Sequence, residues 1–334
     1  MKRISQRDIA KALGINVSTV SRALRNLEGV SPELKQQIEK LAEDKGYRPN
    51  PFAISLRYDT THTIGIVVPD LSYNYHGQIV KRIEADARKQ GFMCIITDSG
   101  DRYEGEVECV EHLEKLHVDG VIICVSQETT DFSHLERLKR NNIPVVLFER
   151  AAKAELSSVC MNDHILTYEA TLHLIDGGAR NIAFLGGPNK MFQCTERKHG
   201  YLEALRERKI PIKKELVKCN LLSLNSGLAD TLELLDLPEP PDAILASHGM
   251  LAVSSMQAVL SRRLRVPEDV AIIGFMSDWV SDMCMPHMTF VKQNLKEMGS
   301  KAFKLLFDQM NGDESVQHII VKARLEVRES TKKR

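Results

Sequence analysis

The sequence predicts a small all-α unit followed by a large α/β core of two doubly wound lobes, each built on a parallel sheet. Three observations predict it. Residues 5–25 carry the signals of two short helices joined by a tight turn. From about residue 63, short apolar runs alternate with amphipathic stretches in two successive series. Charge is unevenly divided: the chain has 45 basic and 45 acidic residues in 334, yet residues 1–60 hold eleven basic against seven acidic. The rest therefore carries the matching acidic excess. A composition of 43% hydrophobic and 27% charged residues belongs to a folded globular chain. No apolar run approaches the roughly 18 residues of a membrane span. The opening Met-Lys-Arg-Ile-Ser-Gln-Arg-Asp lacks the apolar stretch of a signal peptide, so a cytoplasmic protein is expected. Seven cysteines (94, 109, 124, 160, 194, 219, 284) are scattered with no C-x-x-C pair, which argues for reduced thiols.

In the first helix Ser5 is a candidate cap, and Ile9, Ala10 and Leu13 share one face. Gly14 ends it, because a residue that must take positive φ is cheapest as glycine. Asn16 is the expected cap of a second helix running from Val17 to about Arg25, with Val20 and Leu24 facing inward. Val17, Ser18 and Arg22 then lie outward. A helix beginning with small and hydroxyl residues and carrying an arginine one turn on suits a DNA major groove, where Arg22 can fork onto guanine. Thr19 and Ser21 are placed to bond phosphates, and Ser5 and Asn16 at the two helix starts are further candidates for DNA contact. The same pattern also fits the first hairpin of an ordinary globular domain. Local charge separates the two: Lys2, Arg3, Arg7, Lys11, Arg22 and Arg25 face only Asp8 within the first 26 residues. Ser31-Pro32 starts a third helix, whose buried stripe is Leu34, Ile38, Leu41 and Ala42, ending at Gly46 with Tyr47 packing back.

The run Asp8 to Leu24, then Val30-Ser-Pro32, Gly46-Tyr-Arg-Pro-Asn50 and, at the far end, Val327-Arg-Glu-Ser-Thr331, resembles the lactose-repressor (LacI) family of bacterial transcription regulators. The resemblance spans nearly the whole chain. It implies a helix-turn-helix headpiece over 1–48, a hinge helix and linker over 49–60, and an effector-binding, dimerising core over 61–334 of the periplasmic-binding-protein-like fold. On its own, Asn50 to Arg57 reads as a Pro-containing linker too short to hold a helix in water. By resemblance it is a hinge helix that pairs with its twin in the minor groove, with Asn50 and Ala53 near DNA and Leu56 as the apolar wedge.

Strand candidates in the core are Thr63 to Val68, Phe92 to Thr97, Gly120 to Cys124 and Val145 to Phe148, with helices near 75–90, 104–116 and 132–141. A second series runs Val159 to Met161, Ile182 to Leu185, Ala243 to Ala246 and Val270 to Ile273, with helices near 164–176, 195–208, 226–235 and 249–263. Such alternation means parallel sheets with right-handed crossovers. The family's fold implies that the chain returns, giving lobe 1 about 61–160 and 290–320, and lobe 2 about 161–289 and 321–331.

Ligands of open α/β sheets bind outside the carboxyl ends of strands. The loops there offer Tyr73 and Tyr75, Asp98, Ser126, Asn162 and Asp163, His248, Met276 and Asp278. Arg197 matches the arginine with which family members clamp a polar effector; otherwise it is a surface ion pair. Where the family commonly has Asn-Asp this chain has His248-Gly249, and where Gly-Phe-Asp-Asp is common it has Gly274-Phe-Met-Ser277. Two carboxylates are missing, so an anionic sugar derivative is expected to suit the site better than a neutral sugar. Asp278 is a candidate replacement, and Trp279 either stacks on a sugar ring or packs. Gly186-Gly-Pro-Asn-Lys190 lacks phosphate-loop spacing, the 11 histidines form no H-E-x-x-H, and no G-x-S-x-G or dinucleotide fingerprint occurs. No metal, cofactor or catalytic activity is therefore expected. The expectation is a repressor that binds a palindromic operator as a homodimer under control of a sugar or sugar acid. With no heptad tail after Thr331, a dimer rather than a tetramer is expected. A plain solute receptor with the same core is the rival, and the basic N-terminal unit stands against it.

Overall fold

A computed structural model describes residues 4–24, 26–47, 60–150 and 155–331, so the hinge positions Asn50, Ala53 and Leu56 lie outside the described residues. The chain divides into two compact units, Met1–Thr61 and His62–Arg334.

The first unit holds α1 (Gln6–Leu13), α2 (Val17–Ala23) and α3 (Pro32–Asp44). Ser5 and Asp8 close a reciprocal cap on α1: the Asp8 amide donates to Ser5 Oγ at 3.4 Å and the Ser5 amide to Asp8 Oδ2 at 2.9 Å. Gly14, at φ +68°, turns the chain into α2. Ser31 caps α3 through the Leu34 amide at 3.3 Å, with Pro32 at the first helical position. Asn16 occupies the cap position of α2, but its side chain makes no capping bond, contrary to expectation. Ile9, Ala10, Val20, Ala23, Ile38 and Ala42 form the core, with Leu34, Leu41 and Tyr47 packed against it. Burying each of the larger chains contributes about 1.5–3 kcal/mol.

In the second unit, lobe 1 is built on β1 (Thr63–Val68), β2 (Met93–Asp98), β3 (Gly120–Ile123), β4 (Val145–Phe148) and β5 (Ser157–Cys160). Between them run α4 (Asn74–Lys89), α5 (Tyr103–Lys115) and α6 (Ser133–Arg140). Lobe 2 contains α7 (Asp163–Asp176), β6 (Ile182–Gly186), α8 (Phe192–Glu207), β7 (Val217–Cys219), α9 (Leu224–Leu235), β8 (Ala243–Ala246), α10 (Gly249–Ser261), β9 (Ala271–Met276), α11 (Asp278–Met283) and β10 (Thr289–Gln293). The chain then gives α12 (Leu295–Met310) and β11 (His318–Ile320) to lobe 1 and β12 (Ala323–Glu326) to lobe 2. The sheet orders are 11-5-4-3-1-2 and 12-10-9-8-6-7, parallel throughout except for the antiparallel β10–β12 pair. The central strands are near-continuous apolar runs because helices cover both faces; Ile64 to Val68 and Gly120 to Ile123 are buried at every position.

Two boundaries differ from expectation. The strand at 157–160 pairs with β4 and belongs to the first sheet rather than opening the second series. The return to lobe 1 comes after Gln293 instead of at 290, because β10 pairs with β9 before the chain crosses. Both strands are short and lie on either side of a crossing, where residue pattern carries no label for which sheet a strand joins. Among the described residues, no helix is long and apolar enough to cross a membrane.

Candidate functional site

Two surfaces carry the chemistry. On the first unit, α2 presents Ser18, Arg22 and the 39% exposed Val17 outward, with Asn16 exposed beside them. Thr19 and Ser21 are half-buried at the flanks, and Arg7 and Lys11 on α1 are exposed. The Ser5 hydroxyl is engaged with Asp8 Oδ2 at 2.7 Å, so it serves α1 first. The surface is therefore polar, basic and rigidly presented by a packed helix.

The second site is a cavity of about 490 Å³ between the lobes, at the carboxyl ends of the strands. Lobe 1 lines it with Pro69, Asp70, Tyr73 and His76 after β1, Asp98, Gly100 and Asp101 after β2, Gln127 after β3, and Glu149 and Arg150 after β4. Lobe 2 contributes Leu222 to Asn225, His248 and Met250. The lobes meet at its rim: the Leu222 amide donates to Gln127 Oε1 at 3.3 Å, and Lys190 Nζ to the Glu128 carbonyl at 3.4 Å. Tyr73 reaches across to α10, where a Cβ on Gly249 would stand 2.5 Å from its hydroxyl and push the ring aside.

Tyr73, Asp98 and His248 thus line the cavity as expected. Tyr75 stacks on Tyr73 at 5.9 Å and buries its hydroxyl with no partner among the described residues. Arg197, 1% exposed, donates from Nε to Asp163 Oδ1 at 2.7 Å and from Nη1 to the Ser247 carbonyl, and lies 4.1 Å above the Phe275 ring. Its Nη2 has no partner among the described residues. Burial raises the Asp163 carboxyl above its ordinary range despite the arginine. His248 donates or accepts at Nδ1 with Ser247 Oγ at 2.8 Å and leaves Nε2 unpartnered among the described residues. Burial, with the charges of Arg197 and Arg150, pushes its imidazole well below the usual value, so it is neutral. Burial lifts the Tyr73 phenol to about 12.

Four expected residues fall elsewhere. Ser126 is committed to a buried network in lobe 1, its amide donating to Glu106 and its hydroxyl 2.8 Å from Thr129 Oγ1. Asn162 caps α7 through the Ile165 amide at 3.1 Å. Met276 is buried within the lobe 2 core. Asp278 starts α11 and pairs with Lys292 Nζ at 2.7 Å on the surface, while Trp279 is 57% exposed, so neither reaches the cavity.

Glu149 and Arg150 are the principal residues that loop inspection missed, although they directly follow a strand as the expected ones do. Glu149 sits at φ +61° and Asp101 at φ +55°, left-handed conformations that cost side chains energy and gather at functional sites. Arg150 donates to Asp101 Oδ1 at 2.5 Å and to the Val125 carbonyl at 2.9 Å. Burial pushes the Glu149 carboxyl up, but the hydrogen bond and charge of His76, with Arg150 and Arg197, bring it below its ordinary value. The expected shortage of carboxylates is reversed: Asp70, Asp98, Asp101 and Glu149 line the cavity against one arginine, because lobe 1 supplies acids that lobe 2 lacks.

Residues 6–50 match the model of bacterial regulatory proteins, lacI family, and residues 171–331 that of a periplasmic binding protein-like domain. The HTH-type transcriptional regulator DegA of Bacillus subtilis (strain 168) is 32% identical over 97% of this chain and 97% of its own length. The transcriptional regulator CelR in complex with cellobiose is 27% identical, with a TM-score of 0.74, and the match covers 98% of this chain and 100% of CelR. The lac repressor dimer bound to operator and the anti-inducer ONPF shares the fold, with a TM-score of 0.85 at 23% identity over 99% of each chain. A helix-turn-helix unit, two parallel-sheet lobes around a polar cavity, and these similarities place the chain in the LacI family of bacterial regulatory proteins, the DNA-binding transcription regulators.

Proposed function

We propose that the chain acts in the cytoplasm as a homodimeric repressor of a palindromic operator, released or strengthened by a small polyhydroxylated effector in the interlobe cavity, and that it catalyses no reaction. The observation that carries the effector reading is the cavity itself. Its volume falls in the ~300–1,000 Å³ range of small-molecule sites. Around it, Tyr75 Oη, Arg197 Nη2 and His248 Nε2 are buried polar atoms that a ligand or water would have to satisfy. Carboxylates that accept from hydroxyls, with neutral His248 and paired arginines, favour a neutral sugar over a sugar acid. The cellobiose held by CelR supports a carbohydrate.

Dimerisation is supported by apolar faces left open on both lobes. Met93 and Ile96, on the edge strand β2, are 68% and 40% exposed; Trp279, Met283 and Met285, around α11, are 57%, 68% and 74% exposed. Monomers rarely leave such patches and sheet edges uncovered. A two-fold dimer then sets two α2 helices on one palindrome, with Val17, Ser18 and Arg22 on base edges, Asn16, Thr19 and Ser21 on phosphates and their surroundings, and the Asn50–Leu56 segment between them.

Gel-shift selection from random duplexes tests this directly. One palindrome should be enriched, with affinity falling steeply in salt at a slope of about −0.9 per phosphate neutralised. Calorimetry with cellobiose and with a uronic acid of similar size should give binding of the neutral sugar. Stronger binding of the acid would reverse the ligand class, and failure to enrich any sequence with or without sugar would remove the operator reading.

A further inference from the structure

We propose that the floor of the interlobe cavity is a metal site of the zinc class, with His76 Nε2, Cys124 Sγ and Glu149 Oε2 as ligands. The three groups come from the start of α4 and from the ends of β3 and β4, neighbouring strands of the first sheet. All three are buried, and their ligand atoms lie within 4.8 Å of one another. Spacing in the chain gives no hint of them, since 48 and 25 residues separate the three positions.

The distances fit an ion. With bonds of about 2.3 Å to sulfur and 2.0–2.2 Å to nitrogen and oxygen, tetrahedral ligand atoms stand roughly 3.3–3.6 Å apart. His76 Nε2 and Glu149 Oε2 are 3.1 Å apart, and Cys124 Sγ and Glu149 Oε2 3.4 Å, so both pairs that share the carboxylate lie within a few tenths of an ångström of the ligand spacing. Imidazole, thiolate and carboxylate together form a borderline donor set that zinc accepts.

The surroundings fit as well. His76 Nδ1 donates to the Asp70 carbonyl at 3.0 Å, which orients the ring and aims Nε2 at the carboxylate. Metal-bound histidines are held by this kind of outer bond. Arg150, the nearby guanidinium, is already held by Asp101. His76 and Glu149 both line the cavity, which gives the ion an entry path.

Cobalt(II) titrated into the metal-free full chain tests the site without reference to DNA or sugar. One equivalent should give tetrahedral visible bands with a thiolate-to-cobalt charge-transfer band, both erased by zinc. Cys124→Ser, its fold checked by circular dichroism, should lose the charge-transfer band and bind zinc more than ~100-fold less tightly, beyond the usual effect of an outer-shell change. X-ray absorption of the zinc-loaded wild type should find one sulfur with nitrogen and oxygen neighbours, and this measurement decides the matter if Cys124→Ser does not fold. No charge-transfer band, a band that survives in folded Cys124→Ser, or a sulfur count of zero or two would overturn the proposal.

Discussion

The two units of the chain solve the presentation of charge in opposite ways. In the first, the polar and basic side chains of α2 stand in water on a helix anchored by three fully buried branched residues, Ile9, Val20 and Ile38. In the second, the charged groups are buried and satisfied largely by each other: Arg197 by Asp163, Arg150 by Asp101, Glu149 by His76. An exposed group can be removed without disturbing its scaffold, whereas a buried one is part of the scaffold. Function and stability should therefore separate cleanly in the first unit and be entangled in the second.

The largest effect expected from that contrast is at Arg197. Arg197→Met leaves Asp163 buried without its cation and should lower the stability of the core by about 3–5 kcal/mol, read from urea unfolding. A loss below ~1 kcal/mol would mean that the pair is far better solvated than its burial implies. Ile38→Ala should cost about 2–5 kcal/mol, confined to the first unit. The helical signal of that unit should be lost at lower temperature while the core transition stays in place. A single shifted transition would show that the two units do not unfold separately.

The same contrast governs what could be read from the chain alone. Helix caps at Ser5 and Ser31, the Gly14 turn and the buried stripes are local, set by residues within a few positions of each other, and they were legible. The alternation of strands and helices was legible for the same reason. The cavity was legible only in part, because it is made by pairing across long separations. Arg197 meets Asp163, and Glu149 meets His76, through the fold rather than through spacing. Asp278 misled because a carboxylate after a strand looks the same whether its loop enters the cleft or, as here, winds into a helix and pairs with Lys292. The supposed lack of acids failed likewise: it counted lobe 2 loops, while the acids come from lobe 1.

Smaller effects sharpen the comparison. Arg22→Ala should weaken binding to the selected palindrome by about 1–3 kcal/mol and relax preference at one base position, measured by fluorescence anisotropy. Its effect on unfolding should stay within about 0.5 kcal/mol because the side chain is exposed. An equal loss on unrelated DNA would make Arg22 a phosphate contact. In the core, His248 is held neutral by burial and by two arginines. The unfolded chain takes up a proton there as pH falls through about 6.5. Its contribution is therefore present above that pH and lost below it, at up to about 1.4 kcal/mol per pH unit. Comparing His248→Gln with wild type in urea from pH 7.5 to 5 should show the variant with the shallower dependence. Parallel curves would place His248 in a more hydrated setting.

The smallest expected change is also a direct test of separability. Ser5, Asn16 and Ser31 all occupy helix starts, but only Ser5 and Ser31 accept a capping bond. Capping residues replaced by alanine cost about 0.5–2 kcal/mol. Ser31→Ala should fall in that range, whereas Asn16→Ala should cost no more than a few tenths, since no bond is lost. If its amide serves DNA instead, Asn16→Ala should weaken operator binding while the melting temperature of the first unit stays put. Should Asn16→Ala destabilise as much as Ser31→Ala, the residue is a cap in solution, and the exposed surface of α2 would share the entanglement of the core.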